Sequence, residues 1–437
     1  MTYENLSTPE GTSSGVVFIV HPQVTKGARA ETRDHAQGRL QEATGLAEAI
    51  NLTVVGSRML NVKSIRANLF LGEGQVDDLK GEIKDLNASL VLMDAHISPI
   101  QQRNLEKAWN VKVIDRSELI LEIFGERART AEGRLQVELA ALSHQRSRLV
   151  RAWTHLERQR GGFGFMGGPG ESQIELDRRI IDDRIVKIKK ELESVIRTRK
   201  LHRKARDRVP YPIVALVGYT NAGKSTLFNR MTHSEVLAKD MLFATLDPTM
   251  RRVDLPSGRE IILSDTVGFI SDLPTSLIAA FRATLEEVLE ADLILHVRDI
   301  SHPYTDQQAG DVMKILGDLG LKNVENSHLI EVLNKTDLLD PEDQKALVNA
   351  SHRTEYPQKV VLSALTGEGI LDLLQKIEDF FLNQEQEVEI HLKYEDGATL
   401  AWLYQNGAIL NREEGEEGIT LKVKLSPLIK ARFEKQI

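Results

Sequence analysis

The stretch Ile213-Val214-Ala215-Leu216-Val217-Gly218-Tyr219-Thr220-Asn221-Ala222-Gly223-Lys224-Ser225-Thr226-Leu227-Phe228-Asn229-Arg230 decides how this chain folds. Its first five residues are an apolar run suited to a buried strand, and Thr226 to Arg230 begin a helical pattern. Between them, Gly218 to Ser225 has the spacing of a phosphate-binding loop. Backbone N–H groups freed by glycines, with a helix N-terminus behind them, form a concave nest for a β-phosphate. Lys224 adds a point charge for the β- and γ-phosphates, and Ser225 a hydroxyl for Mg²⁺.

Elements downstream select the nucleotide. Asp265-Thr266-Val267-Gly268 follows the apolar run Glu260-Ile261-Ile262-Leu263, so Asp265 can reach Mg²⁺ through water while the Gly268 N–H approaches a γ-phosphate. Asn334-Lys335-Thr336-Asp337 follows Leu329 to Leu333, and the Asp337 carboxylate can accept from the N1–H and N2–H₂ edge of guanine. Adenine has no such donor pair and would leave the carboxylate unpaired. Ser363-Ala364-Leu365 would close over guanine O6 with a backbone N–H. Phe243-Ala244-Thr245-Leu246-Asp247 supplies the switch segment, with Thr245 joining Mg²⁺ and sensing the γ-phosphate; Thr249 is its rival, and a surface-loop threonine the plainer alternative. The catalytic set is then Lys224, Thr245 and Gly268. Phe269 stands where Ras-like enzymes carry a water-orienting glutamine, so unaided hydrolysis should be slow. Asn221 either holds a K⁺ ion near the β/γ bridge or braces the loop.

Bulk composition sets the frame. The 437 residues suggest about three domains. With 41% hydrophobic and 27% charged residues, the chain can build sizeable cores. No run reaches the roughly 18 apolar residues that span a bilayer, and Met1-Thr2-Tyr3-Glu4-Asn5 lacks a signal-peptide pattern. A cytoplasmic protein without a membrane span is expected, and a monomer. The absence of cysteine excludes disulfides, thiol catalysis and cysteine zinc sites, and the 12 histidines show no ligand spacing. The net charge of −8 argues against an indiscriminate nucleic-acid coat, yet residues 126–208 hold 21 Lys/Arg against 12 Asp/Glu. That segment is +9 and the remainder −17, a polarity that suits contact with a polyanion.

The fold class expected is α/β: a Ras-like P-loop GTPase domain over 209–383, preceded by a parallel-sheet α/β domain over 15–125 and a long antiparallel helical hairpin over 126–208. A small α+β domain follows over 384–437, and residues 1–14 read as a disordered terminus. Strands of the first domain are expected at 16–20, 52–55, 69–71, 90–93 and 111–114, alternating with helical patterns. Gly72-Glu73-Gly74 is no dinucleotide fingerprint, because position 77 is Asp77. In the hairpin, Leu135, Leu139, Leu142, Leu149, Trp153 and Leu156 form one heptad stripe, and Ile181, Ile185, Ile188, Leu192 and Val195 another. The glycine-rich 161–170 makes a flexible tip, carried roughly 40 Å from the base at about 1.5 Å per residue. Arg151, Arg158, Arg160, Arg178 and Arg179, with Phe163 and Phe165 to stack on bases, are the candidate RNA contacts. The plainer reading is an intramolecular seam with solvated arginines. Val209-Pro210-Tyr211-Pro212 ends the helix. In the tail, 388–392 and 419–425 alternate like strands, and Glu413 to Gly418 reads as an exposed acidic turn.

With these elements placed, the chain resembles the HflX family of translation-associated GTPases from about residue 50 onward. The resemblance rests on Arg103-Asn104-Leu105-Glu106, Asp115-Arg116, Trp153 to Gln159, Gly168-Pro169-Gly170-Glu171, Gly218 to Asn229, and Leu242 to Thr249. It implies GTP and GDP as ligands, Mg²⁺ at Ser225, Thr245 and Asp265, and association with the large ribosomal subunit and its RNA near the peptidyl-transferase region. It also implies stimulation by ribosomes and, in some members, splitting of stalled ribosomes under stress. Extra residues around Phe165-Met166, and Ser172 and Ile174, depart from the family pattern at the tip. Some members are reported to use ATP, but the N-terminal part shows no phosphate loop. The alternative is a GTP-gated RNA-binding adaptor or ribosome-assembly factor in which hydrolysis is incidental. An RNA-modification GTPase is disfavoured by the missing cysteine.

Overall fold

The computed structural model describes residues 15–25, 32–159, 169–206, 211–233, 243, 249–271, 288–321, 328–351, 358–415, 418–425, 429–430 and 433. The protein is mixed α/β, with a parallel-sheet N-terminal unit, a helical hairpin, a P-loop sheet and a small α+β unit.

Four parallel strands, β1 (Val16–Val24), β2 (Thr53–Val62), β3 (Leu90–Met93) and β4 (Lys112–Asp115), form the first sheet in the order β2-β1-β3-β4. Because side chains alternate along a strand, Val17 and Ile19 of central β1 face α1 (Arg33–Glu48) and α4 (Arg116–Arg127), while Phe18 and Val20 face α2 (Glu73–Asp85) and α3 (Pro99–Trp109). The strand expected at 69–71 is absent. Phe70 takes φ 65°, in the left-handed region, and pairs back on Arg66, which turns the chain; Leu71 is buried and Gly72 caps α2. Three apolar residues here serve the core without extending the sheet.

The hairpin pairs α5 (Ala131–Gln159) with α6 (Pro169–Arg206). Leu142 packs with Ile181, Ile185, Ile188 and Leu192, and Leu135, Leu139 and Leu149 flank them. Two residues assigned to the tip by sequence, Pro169 and Gly170, belong instead to α6. Proline suits a helix start because its fixed φ and missing N–H cost nothing there. The seam also uses charge: Arg184 grips Glu138 at 2.7 and 2.9 Å, and Arg146 reaches Asp182 at 3.0 Å. At its base, α5 is rooted in the N-terminal unit, with Val137 and Ala140 in the core around Phe124 and Arg148 on buried Asp115 at 3.2 Å.

The second sheet runs β10-β9-β8-β5-β7-β6. These strands are β5 (Ile213–Gly218), β6 (Thr249–Asp254), β7 (Glu260–Asp265), β8 (Leu293–Asp299), β9 (Leu329–Asn334) and β10 (Gln358–Val361), and β6 alone is antiparallel to its neighbour. Helix α7 (Lys224–Thr232) and α10 (Ile370–Asn383) cover one face; α8 (Thr305–Asp318) lies on the other, and α9 (Pro341–Ser351) precedes β10. The apolar core on the α8 face is continuous with the N-terminal unit, since Phe124 and Ile120 share it with Tyr219, Phe243 and Phe269.

The tail is a three-stranded antiparallel sheet, β11 (Gln386–Leu392), β13 (Gly418–Leu425) and β12 (Ala408–Gly415), with α11 (Gly397–Asn406) supplying Leu403 to its core. Glu413 and Glu414, expected in a turn, sit at the end of β12 opposite Thr420 and Ile419. Among the described residues no helix is long and apolar enough to cross a membrane.

Candidate nucleotide site

The loop Gly218 to Ser225 joins the end of β5 to the start of α7. Gly223 takes φ 92° as the helix N-cap, and a Cβ there would fall 2.2 Å from Asn334 Nδ2. Only glycine meets both conditions. Asn221 is also left-handed, φ 59°, which asparagine tolerates; its side chain is exposed and makes no hydrogen bond among the described residues. The Ala222 carbonyl accepts from Asn334 Nδ2 at 2.8 Å.

Asn334 thereby ties two loops, because its Oδ1 also accepts from the Ala364 N–H at 2.9 Å. Ser363 donates to Asp337 at 2.6 Å, fixing the carboxylate proposed to read guanine. Lys335, φ 66°, reaches Asp299 at 2.7 Å, and Thr336 is buried beneath the Leu362 carbonyl. Ala364 is buried and Leu365 exposed. Sequence reasoning missed Arg230, one helix away, whose Nε donates to the Ala364 carbonyl at 3.2 Å and whose Nη2 reaches that of Leu365.

At the phosphate end Lys224 is 6% exposed and donates to the carbonyls of Gly218 at 3.1 Å and Tyr219 at 2.7 Å. Burial pushes its ammonium down to about 8, opposed by the attraction of Asp265. Ser225 donates to the fully buried Asp265 at 2.8 Å. A hydroxyl and a carboxylate oxygen side by side are the hard donors Mg²⁺ prefers, so this pair fits that ion. Thr266 is anchored on the Leu216 carbonyl at 2.5 Å, and Val267 packs in the core. Gly268 lies against Thr220 and Lys224, and Thr220 Oγ1 is buried without a hydrogen-bond partner among the described residues.

Ala244, Thr245, Leu246 and Asp247 lie outside the described residues, and Thr249 begins β6 opposite Asp265. Phe243 is described: it is 2% exposed, edge-on to Phe124 of α4 with ring centroids 4.6 Å apart. Its ring is thus committed to the N-terminal unit. Tyr219 likewise contributes backbone to the loop while its ring turns to α1.

There a buried polar cluster crosses the boundary between units, and no sequence motif announced it. Glu42 of α1 accepts from Tyr219 Oη at 2.5 Å and Ser271 Oγ at 2.8 Å, and pairs with Arg116 at 2.5 Å. Arg116 also donates to Asp94 at 2.7 Å, and Asp94 meets His21 at 2.8 Å. Burial alone would raise the Asp94 carboxyl, but Arg116, His21 and Arg39 hold it well below the usual carboxylate range. Burial and Glu42 push the Tyr219 hydroxyl well up, so it remains a donor. Beside the cluster opens a cavity of about 420 Å³ between α1, the outer side of Tyr219 to Asn221, and Tyr304.

Of the candidate RNA contacts, Arg151 and Arg158 lie in α5, Arg178 and Arg179 are exposed on α6, and Arg160, Phe163 and Phe165 lie outside the described residues.

Four family models match in succession: GTP-binding GTPase N-terminal over 37–125, GTP-binding GTPase Middle Region over 127–206, 50S ribosome-binding GTPase over 213–335, and HflX C-terminal domain over 346–437. A GTPase HflX of Magnetococcus marinus is 47% identical, covering 93% of this chain and 92% of that protein. One of Escherichia coli is 42% identical over 90% and 91%. The crystal structure of a GTP-binding protein from Sulfolobus solfataricus in complex with GDP aligns at TM-score 0.44 and 23% identity, covering 84% of this chain and 98% of that one. With curated relatives this similar across nine-tenths of its length, the chain belongs to the HflX family and is a GTPase.

Proposed function

We propose that this GTPase works on the large ribosomal subunit, binding it through the N-terminal unit and the hairpin and responding to it with faster GTP hydrolysis. The observation that carries the reading is the construction of the hairpin: a basic two-helix arm rooted in the unit that also touches the phosphate loop. Its match to a family described as 50S ribosome-binding GTPase agrees. In this reading the units 15–125, 126–208, 209–383 and 384–437 act as domains of a cytoplasmic monomer. Gly218 to Ser225, Thr245 and Gly268 grip the phosphates, Asp337 and Ala364 the base, and Ser225, Thr245 and, through water, Asp265 hold Mg²⁺. Asn221 holds K⁺, an assignment that fits its exposed side chain. Arg151, Arg158, Arg160, Arg178, Arg179, Phe163 and Phe165 meet ribosomal RNA. Phe269 is 3% exposed in the core and offers no polar group to a water, so ribosomal components supply what orients it. Splitting or rescue of stalled ribosomes under stress is the task.

The test is steady-state GTP hydrolysis in K⁺ and in Na⁺ buffer, with and without purified large subunits, for wild type and a variant lacking 161–170. Strong stimulation abolished by the deletion is expected. Absence of stimulation would refute the ribosome-triggered reading. The buried Phe269 also favours a second reading, a GTP-gated RNA-binding adaptor with incidental turnover. In that case a non-hydrolysable analogue would support binding and every downstream effect through repeated cycles.

A further inference from the structure

The short loop after β10 is held from two sides. On one, Asn334 Oδ1 takes the Ala364 N–H at 2.9 Å, and the Ser363 hydroxyl takes the Thr366 N–H at 3.1 Å while giving its own proton to Asp337 at 2.6 Å. On the other stands Arg230, in the last turn of α7. Its Nε donates to the Ala364 carbonyl at 3.2 Å and its Nη2 to the carbonyl of Leu365. The side chain is exposed and meets no carboxylate among the described residues, so its directed contacts are with these two consecutive carbonyls.

A trans peptide points its C=O and the N–H that follows it in opposite directions. The guanidinium therefore sets two donors on the far side of the chain. Holding the Ala364 carbonyl turns the Leu365 N–H away from Arg230; that N–H makes no hydrogen bond among the described residues, whereas the Ala364 N–H is taken by Asn334. Holding the Leu365 carbonyl turns the Thr366 N–H onto Ser363 Oγ, which accepts there and directs its own proton to Asp337. One side chain thus orients both halves of the base reader: a backbone donor for guanine O6 and the carboxylate for N1–H and N2–H₂. Because α7 begins with Lys224 and Ser225, the same side chain ties that reader to the helix that meets the phosphates.

We propose that Arg230 is a positioning residue for guanine selectivity: by holding the Ala364 and Leu365 carbonyls it presents the Leu365 N–H to O6 and keeps Ser363 on Asp337. The plainer role of a cation in the last turn of a helix is to offset the helix dipole. That role would steady α7 and leave the choice of base untouched. The inference rests on the assignment of Asp337 and residues 363–365 to the base, and it adds to them a residue from a different element.

The test displaces a fluorescent GDP from the full chain, with Mg²⁺, by unlabelled GDP, inosine diphosphate and 6-thioguanosine diphosphate, in wild type, Arg230→Ala and Arg230→Lys. The inosine ligand lacks the 2-amino group offered to Asp337, and the thio ligand keeps both donors but replaces O6 by a weakly accepting sulfur. Wild type prefers GDP to both. Arg230→Ala should weaken GDP about tenfold, the scale of losing one or two hydrogen bonds, and each analogue by about threefold or less, so both preferences shrink. Arg230→Lys is intermediate, because an ammonium lacks the fork that spans two carbonyls, and it reports even where Arg230→Ala unfolds. If Arg230 only steadies α7, all three ligands weaken alike; that result, or unchanged preferences, overturns the inference. Wild type that binds GDP without preferring it to either analogue overturns the assignment of the base site itself.

Discussion

Asn334→Ala tests the frame of the nucleotide site at a point where two loops depend on one amide. The substitution removes the 2.8 Å bond to the Ala222 carbonyl and the 2.9 Å bond from the Ala364 N–H, both buried. A buried partner left unmet costs about 1–3 kcal/mol, so the pair costs about 2–6 kcal/mol. The bound form needs both loops in register, and about half of this should appear as weaker binding, about 1–3 kcal/mol or roughly 5- to 150-fold in GDP affinity. Asn334→Asp keeps an acceptor for Ala364 but sets a carboxylate against the Ala222 carbonyl, and should bind GDP no better than the alanine variant. Stopped-flow dissociation and equilibrium titration of a fluorescent GDP, beside far-UV circular dichroism to establish folding, give the answer. A folded Asn334→Ala protein within threefold of wild type would refute the reasoning. Gly223→Ala adds a control, since its Cβ would meet Asn334 Nδ2 at 2.2 Å; the double variant should be less impaired than the sum of the singles.

Four further outcomes are expected. Phe124→Ala opens the pocket of Phe243 and should cost about 3–5 kcal/mol at the boundary between units, read as a lowered urea midpoint. Ile188→Ala, fully buried in the hairpin seam, should destabilise the hairpin by about 2–5 kcal/mol. Arg184→Ala, on an exposed pair, should cost about 0.2–1 kcal/mol, and hydrogen exchange along α5 and α6 separates the two. Lys224, at about 8 against 10.5 ordinarily, sets a pH dependence. Between those values the unfolded chain holds a proton the folded one has lost, so this group's contribution to stability rises with pH. Phosphate binding needs the charged form, so GDP affinity should be flat below pH 8 and fall about tenfold per unit above it, while Lys224→Met titrates flat.

What the sequence disclosed follows from how local each signal is. The phosphate loop was legible because strand, glycines, lysine and helix are contiguous and each residue type has one physical reason to be there. The strand ends that carry Asn334 to Asp337 and Ser363 to Leu365 were legible for the same reason, although the double duty of Asn334 was not. The run 69–71 looked like a strand because apolar content says that residues are buried, not that they pair; the left-handed Phe70 shows the difference. In the tail, α11 and β12 carry too few periodic apolar residues to declare themselves and form against β13. The Glu42, Arg116, Tyr219 and Ser271 cluster was invisible, because each residue is ordinary alone and they meet only across the fold.

The rooting of α5 in the N-terminal core has a mechanical consequence. With 29 residues rising about 1.5 Å each, that helix is an arm of roughly 44 Å. Its short end is pinned by Val137, Ala140 and Arg148, beside the contact that Glu42 makes with the phosphate loop. A pivot of about 5° there would sweep the end of the 11 residues beyond Arg148, about 16 Å of helix, through roughly 1.5 Å. Such geometry carries a small rotation at the base outward along the helix, and resistance met at its far end returns to the base by the same path.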